Sequence, residues 1–138
     1  MNFIVTGGCG FIGSHLVEAL LVTGNNVIVI DDQRAGKFKV TDDSVQYLIQ
    51  EVCSANIQGQ CDGIFHLANT PRIRLANEKP LLALRNGIDP TIHVAEMARK
   101  FKCPLYFASS SSTIYSDRKS NPYTLSKAVS EDILDMYW

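Results

Sequence analysis

Tyr123 and Lys127 stand four residues apart in Tyr123-Thr124-Leu125-Ser126-Lys127. On a helix, that spacing puts a phenol and an ammonium on one face. An unperturbed tyrosine titrates near pH ~10, and a close positive charge lowers that value by favouring the phenolate. The pair can therefore act as an acid/base set. A second source of chemistry is Ser109-Ser110-Ser111-Ser112-Thr113, at the end of the apolar run Leu105-Tyr106-Phe107-Ala108. Hydroxyls at the carboxyl end of a strand can contact a substrate oxygen. They can equally cap the strand as an ordinary serine-rich loop.

The third feature is Thr6-Gly7-Gly8-Cys9-Gly10-Phe11-Ile12-Gly13, directly after Phe3-Ile4-Val5. Gly8, Gly10 and Gly13 satisfy G-x-G-x-x-G, and Gly7, Gly10 and Gly13 satisfy G-x-x-G-x-x-G. An apolar strand running into such glycines and then a helix is the turn that seats a dinucleotide pyrophosphate. The early glycines let backbone approach phosphate, and Gly13 lets the helix lie close to the first strand. The helix N-terminus adds free N–H groups and partial positive charge. Asp31 ends Val27-Ile28-Val29-Ile30, 18 positions beyond Gly13. That suits a carboxylate holding an adenosine ribose. Its bland alternative is a polar strand end.

The elements that must position these groups alternate. Strands are predicted near 2–6, 26–31, 45–50, 62–68 and 104–109, and helices near 12–23, 78–100 and 122–137. In the first helix Leu16, Ala19, Leu20 and Val22 are expected to face inward, and Gly24-Asn25-Asn26 to stop it. The polar stretch 32–44 reads as a loop, and 51–60 as a short helix. Alternating strands and helices imply right-handed βαβ units, hence an α/β, doubly wound parallel sheet of five strands in the order 3-2-1-4-5. The 138 residues fit one domain, residues 1–138, with no linker or internal repeat.

Composition narrows the function. Hydrophobic content of 46% and charged content of 20% are ordinary for a globular protein. A net charge of −1 argues against a nucleic-acid or anionic-membrane surface, and nothing approaches a membrane span or a signal peptide. Cys9, Cys53, Cys61 and Cys103 form no metal-type pattern and read as reduced thiols of a cytoplasmic protein. His15, His66 and His93 are scattered. Arg72, Arg74 and Arg85 read as solvated rather than as contacts to a sugar diphosphate.

Together these residues resemble the extended short-chain dehydrogenase/reductase superfamily, within it the NAD-dependent epimerase/dehydratase family. The similarity covers residue 1 to about 134. It rests on the glycine turn, Val29-Ile30-Asp31-Asp32, Phe65-His66-Leu67-Ala68, Glu78-Lys79-Pro80-Leu81, Ser109-Ser110-Ser111-Ser112-Thr113-Ile114-Tyr115, and Pro122-Tyr123-Thr124-Leu125-Ser126-Lys127 followed by Glu131. The resemblance implies a Rossmann-like fold, a nucleotide-sugar substrate and NAD as cofactor. Tyr123 would transfer the proton, Lys127 would activate it, and Ser111 would hydrogen-bond the reacting oxygen. The cofactor would be held by Gly7, Gly10, Phe11, Ile12, Gly13, Asp31, Asp32, Glu51, Val52, Leu67, Ala68, Asn69, Tyr123 and Lys127. Asp31 favours NAD over NADP by repelling a 2′-phosphate, an effect that Arg34 and Lys37 could offset.

The sequence also departs from the family. Ser111 and Tyr123 are only twelve apart, which implies loss of a substrate-facing loop. Gly87-Ile88-Asp89-Pro90-Thr91 replaces the usual Asn-Val-x-Gly-Thr, with Asn86 one position early, and Pro90 is expected to kink its helix. Ser112 and Thr113 stand where dehydratases often carry Asp-Glu, which favours an epimerase or a simple oxidoreductase. The chain ends at Trp138, before the expected sixth and seventh strands and the C-terminal substrate lobe. A non-catalytic NAD-binding module, degenerate or excised from a longer protein, is therefore the rival reading. The last helix carries Ala128, Val129, Ile133, Leu134, Met136, Tyr137 and Trp138, more apolar groups than one core stripe needs. With the family's habit of packing its two longest helices together, this implies a homodimer through 78–100 and 122–137.

Overall fold

The computed structural model describes residues 1–70 and 73–138. Strands β1 (Asn2–Thr6), β2 (Asn26–Asp31), β3 (Val45–Ile49), β4 (Gly63–His66) and β5 (Leu105–Phe107) form one sheet. Every neighbouring pair is parallel, in the predicted order β3-β2-β1-β4-β5. Side chains alternate across a strand, so Ile4 and Val5 serve opposite faces. Val5, Val27 and Val29 pack against α1 (Phe11–Val22) through Val17. Ile4, Ile30 and Ile64 pack against α3 (Pro80–Phe101) through Val94, Met97 and Ala98. Burial on both faces is why these strands are apolar runs with little polar alternation. Among the described residues, no helix is long and apolar enough to cross a membrane.

Several details differ from the sequence reading. In α1 the buried residues are Gly13 and Val17, with Leu16, Leu20 and Leu21 half-buried against the same core. Ala19 is exposed, and Val22 is 83% exposed. Gly13 sets the phase, since the face beneath it recurs at i+4 and i+7 and leaves Ala19 and Val22 in solvent. The helix expected over 78–100 is α3, and it is preceded by an unanticipated short helix, α2 (Ile73–Glu78), the two separated at Lys79. Pro80 disfavours helical backbone at the residue before it and fits the first turn of the next helix. Further along, α3 runs without interruption through Pro90. The stretch 51–60 holds only one tight turn, Val52–Ser54, because Val52, Ala55 and Ile57 are drawn into the core as an extended segment. Strands β4 and β5 are shorter than expected. Their ladders nevertheless carry on by one bond each, Leu67 N–H to the Thr6 carbonyl and Ala108 N–H to the His66 carbonyl, both 3.1 Å.

The sequence reading did not anticipate α4 (Ser112–Tyr115), a single turn before α5 (Pro122–Tyr137). Asn121 caps α5, its side-chain oxygen accepting from the Thr124 amide at 2.9 Å. Helices α3 and α5 cross closely because the contact is built from small residues. A Cβ added at Gly87 would stand 2.5 Å from the Ser126 hydroxyl oxygen and 2.6 Å from Ser126 Cβ.

A buried hydrogen-bond chain joins these helices to the sheet. The Ala68 amide donates to Thr6 Oγ1 at 3.2 Å, and Thr6 Oγ1 meets His66 Nδ1 at 2.7 Å. On the other side, His66 Nε2 meets Thr91 Oγ1 at 3.2 Å, and Thr91 donates to the Gly87 carbonyl at 2.8 Å. Thr91 Oγ1 also lies 3.1 Å from Ser130 Oγ. Each hydroxyl carries one proton, so the pattern closes with Thr6 donating to Nδ1 and Nε2–H donating to Thr91, a neutral imidazole. Burial, aided by the Lys127 charge, pushes the His66 pKa down to about 3 from 6.5.

Two outcomes follow from this packing. Gly87→Ala raises helix propensity by about 1 kcal/mol, but the clash with Ser126 costs about 1–3 kcal/mol, so the urea midpoint should fall. For His66, the unfolded chain takes up a proton near pH 6.5 and the folded one only near 3. Stability should therefore drop as pH falls through that window, this group contributing up to about 1.4 kcal/mol per pH unit. Urea titrations from pH 7 to pH 4 should show a shallower loss in His66→Gln; parallel curves would refute the buried neutral imidazole.

Candidate active site

Parallel strands deliver their following loops to one edge of the sheet, and the sequence-predicted groups follow all five, Glu51 and Val52 coming after β3. The glycine turn follows β1, Asp31 ends β2, Leu67, Ala68 and Asn69 follow β4, and the serine segment follows β5.

The glycine turn is folded against its neighbours with no room for side chains. Gly7 has φ +74°, and a Cβ there would lie 2.8 Å from the Ala68 amide nitrogen. A Cβ at Gly13 would lie 2.2 Å from the Gly7 carbonyl oxygen, so α1 rests on the turn itself. Gly10 is the N-cap of α1 and supplies no side-chain cap. The first amides of a helix have no intrahelical partner. Those of Phe11, Ile12 and Gly13 accordingly form an anion-receptive end, flanked by the exposed Phe11 and Ile12 side chains. This cradle suits a pyrophosphate.

Asp31 is buried beside that turn. Its Oδ2 accepts from the Cys9 amide at 2.9 Å and its Oδ1 from the Gln33 amide at 2.7 Å. The carboxylate is thus held rigid by backbone donors and keeps acceptor capacity for further hydroxyls. Gln33 was not singled out from the sequence; its left-handed backbone (φ 59°) turns its amide onto Asp31. Asp32 is exposed and accepts from the Arg34 amide at 2.9 Å. The Arg34 guanidinium bridges Asp32, at 3.1 Å, and Glu51. It is therefore engaged by two carboxylates rather than free to offset Asp31. Val52 lies in the α3-side core, so its side chain is packing. Leu67 packs on the α1 side and Ala68 on the α3 side. Asn69 Oδ1 accepts from the Thr70 amide at 2.6 Å. Arg74 pairs with Glu78 at 3.1 Å in solvent, and Arg72 lies outside the described residues.

Lys127 is the unusual group. It is only 3% exposed. Its Nζ donates to the Ala108 carbonyl and sits 4.5 Å above the centroid of the Phe107 ring. Both anchors belong to the end of β5, so α5 delivers an ammonium to the start of the serine segment. Burial pulls the Lys127 pKa down from 10.5 to about 8, against the raising pull of the Glu131 carboxylate. One turn earlier on α5, Tyr123 is half-buried. Ser111 is exposed, and its carbonyl accepts the amides of Ile114 and Tyr115 at 3.1 and 3.0 Å. The arrangement offers a cationic helix face and a hydroxyl-bearing turn on one side, and an anion cradle with a rigid carboxylate on the other.

Comparison with known proteins agrees with this geometry. The sequence profile of the NAD dependent epimerase/dehydratase family matches residues 3–138. UDP-glucose 4-epimerase of Caenorhabditis elegans is 28% identical over 159 residues, which cover 99% of this chain and 45% of the relative. UDP-N-acetyl-alpha-D-glucosaminuronate decarboxylase of Bacillus cytotoxicus is 31% identical over 115 residues, 78% of this chain and 36% of the relative. The crystal structure of Thermus thermophilus UDP-glucose 4-epimerase in complex with NAD superimposes with a TM-score of 0.83 at 26% identity, covering 99% of this chain and 50% of that one. The chain spans about half the length of the curated relatives it matches. A family-wide match over nearly every residue, on a sheet of this order with this glycine turn, means that the chain belongs to the NAD-dependent epimerase/dehydratase family.

Proposed function

We propose that this chain binds NAD along the carboxyl edge of its sheet and works on a nucleotide sugar as an epimerase-type oxidoreductase. Ser111, Tyr123 and Lys127 are the working groups. The observation that carries the reading is the buried Lys127 ammonium, held at the end of β5 beside the serine segment and on the same edge as the glycine turn. A buried ammonium is expensive to keep, and one held beside other groups able to do chemistry is the mark of a functional group.

NAD, when bound, supplies a hydride acceptor that can return the hydride. Gly7, Gly10 and Gly13 let backbone meet the pyrophosphate, and the Phe11, Ile12 and Gly13 amides donate to it. Asp31 accepts ribose hydroxyls, and its charge disfavours a 2′-phosphate. Lys127 keeps donors free beyond the Ala108 carbonyl, for a ribose hydroxyl and for stabilising a Tyr123 phenolate. Tyr123 takes the proton from the sugar hydroxyl, and Ser111 donates a hydrogen bond to that oxygen. Ser112 and Thr113 are tied into side-chain hydrogen bonds with Thr124 and Glu131. Neither carries a carboxyl group for water elimination, which favours epimerase or simple oxidoreductase chemistry over dehydration. The outer faces of α3 and α5 expose Leu81, Leu82, Ile92 and Met136, which suits packing against a second copy. Light scattering at micromolar concentration should report a dimer mass; a monomer mass would remove that part of the reading.

Calorimetry should detect NAD binding to the chain, and UDP-sugar turnover should fall by about 10²–10⁴-fold in Tyr123→Phe while NAD affinity holds. NAD retained without any turnover would mean a binding module. Because Lys127 is charged below about pH 8 and neutral above it, NAD affinity should weaken as pH rises through that value. Lys127→Met should lose this pH step; an identical step in the variant would assign it to another group.

A further inference from the structure

We propose that Thr124 and Glu131 are positioning residues that clamp segment 109–113 onto α5 at two heights and so fix where the Ser111 hydroxyl stands. This rests on the proposed role of Ser111. Helix α4 is four residues long, far too short to persist by itself. Its place must therefore come from contacts to something rigid, and the contacts are specific.

The upper clamp starts at the N-cap of α5. Asn121 Nδ2 donates to Thr124 Oγ1 at 2.9 Å, and Thr124 Oγ1 donates to Ser112 Oγ at 3.1 Å. Ser112 Oγ in turn meets Ser110 Oγ at 2.8 Å. Thr124 is fully buried at the centre of this relay, and its partners Asn121 and Ser112 are half-buried. The lower clamp is Glu131, two turns further along α5. Its Oε1 accepts from Ser109 Oγ and, at 3.2 Å, from Thr113 Oγ1. The Thr113 proton is shared with the Ser110 carbonyl at 2.8 Å, so the carboxylate takes the longer arm. The four residues flanking Ser111 are thus engaged, while Ser111 itself is exposed. Thr124 follows Tyr123 directly and Glu131 follows Lys127 by one turn, so α5 carries both the Tyr-Lys pair and the pins for the serine segment.

The test uses Thr124→Val, which keeps shape and removes the hydroxyl, against Thr124→Ser, which keeps it. Glu131→Ala removes the acceptor and Glu131→Gln retains a carbonyl oxygen. All four are assayed for NAD binding, for steady-state turnover of UDP-glucose and UDP-galactose, and for amide exchange at Thr113, Ile114 and Tyr115. Thr124→Val and Glu131→Ala should lower kcat by about ten- to a hundredfold, in Thr124→Val with NAD affinity intact and KM little changed. Their three amides should exchange faster; Thr124→Ser should restore both readouts, and Glu131→Gln, which keeps the acceptor but not the charge, should restore the exchange. Wild-type exchange and kcat in Thr124→Val and Glu131→Ala would overturn the proposal. So would failure of the conservative variants to rescue. If the wild type binds NAD without turnover, the role of Ser111 falls, and amide exchange alone then decides whether the clamp exists.

Discussion

The cleft depends on how deeply α5 sits against the sheet, and a chain of buried hydrogen bonds centred on one imidazole sets that depth. His66 on β4 joins Thr6 on β1 to Thr91 on α3, and Thr91 meets Ser130 on α5. Hydrogen bonds between buried groups demand a narrow range of distances, because an unmade one leaves a desolvated polar group. Apolar packing alone would tolerate sliding. The relay does not, and Lys127 therefore comes to β5 in one register, over Phe107 and under the Ala108 carbonyl.

Small residues make that depth possible. Gly87 meets Ser126 where α3 and α5 cross, and Gly7 meets Ala68 where the glycine turn crosses the end of β4. At Gly7 backbone lies against backbone, and at Gly87 the Ser126 side chain lies against the glycine, so the elements come close enough for polar side chains to bridge them. The sheet face toward α3 is apolar at its middle, with Ile4, Ile30 and Ile64, and polar at its carboxyl edge, with Thr6 and His66, where it meets Thr91 of α3. The polar edge is where the cleft opens, so the groups that lock the helices also border the site.

Two buried ionisable groups share this region and are resolved in opposite ways. Burial drives His66 to the neutral form, fully satisfied by hydroxyls. Lys127 keeps its charge at neutral pH, through the Ala108 carbonyl, the Phe107 ring face and the Glu131 carboxylate.

Much of this was legible in the sequence. Strand order, the glycine turn, Asp31 at the end of β2, and Tyr123 and Lys127 on one helix all follow from local pattern: apolar runs, glycine spacing and a period of four. The misreadings have one physical source. Ala19 and Val22 look inward by composition, yet the phase of α1 is set by Gly13 lying on the Gly7 carbonyl, a contact the sequence does not encode locally. The short helix α2 ahead of Pro80 was missed, since its six residues are too few to show a period, and Pro80 separates it from α3. The helix expected over 51–60 gives way to one tight turn, because the chain after β3 is pulled beneath α3 at Val52, Ala55 and Ile57. The pairing of Arg34 with Glu51, the neutral state of His66 and the tethering of the serine segment by Thr124 and Glu131 join residues far apart along the chain. The sequence by itself determined which chemical groups exist and which element carries each. Only tertiary structure decided which of them lose water and which partners they meet, because desolvation and hydrogen-bond geometry depend on what the fold brings alongside.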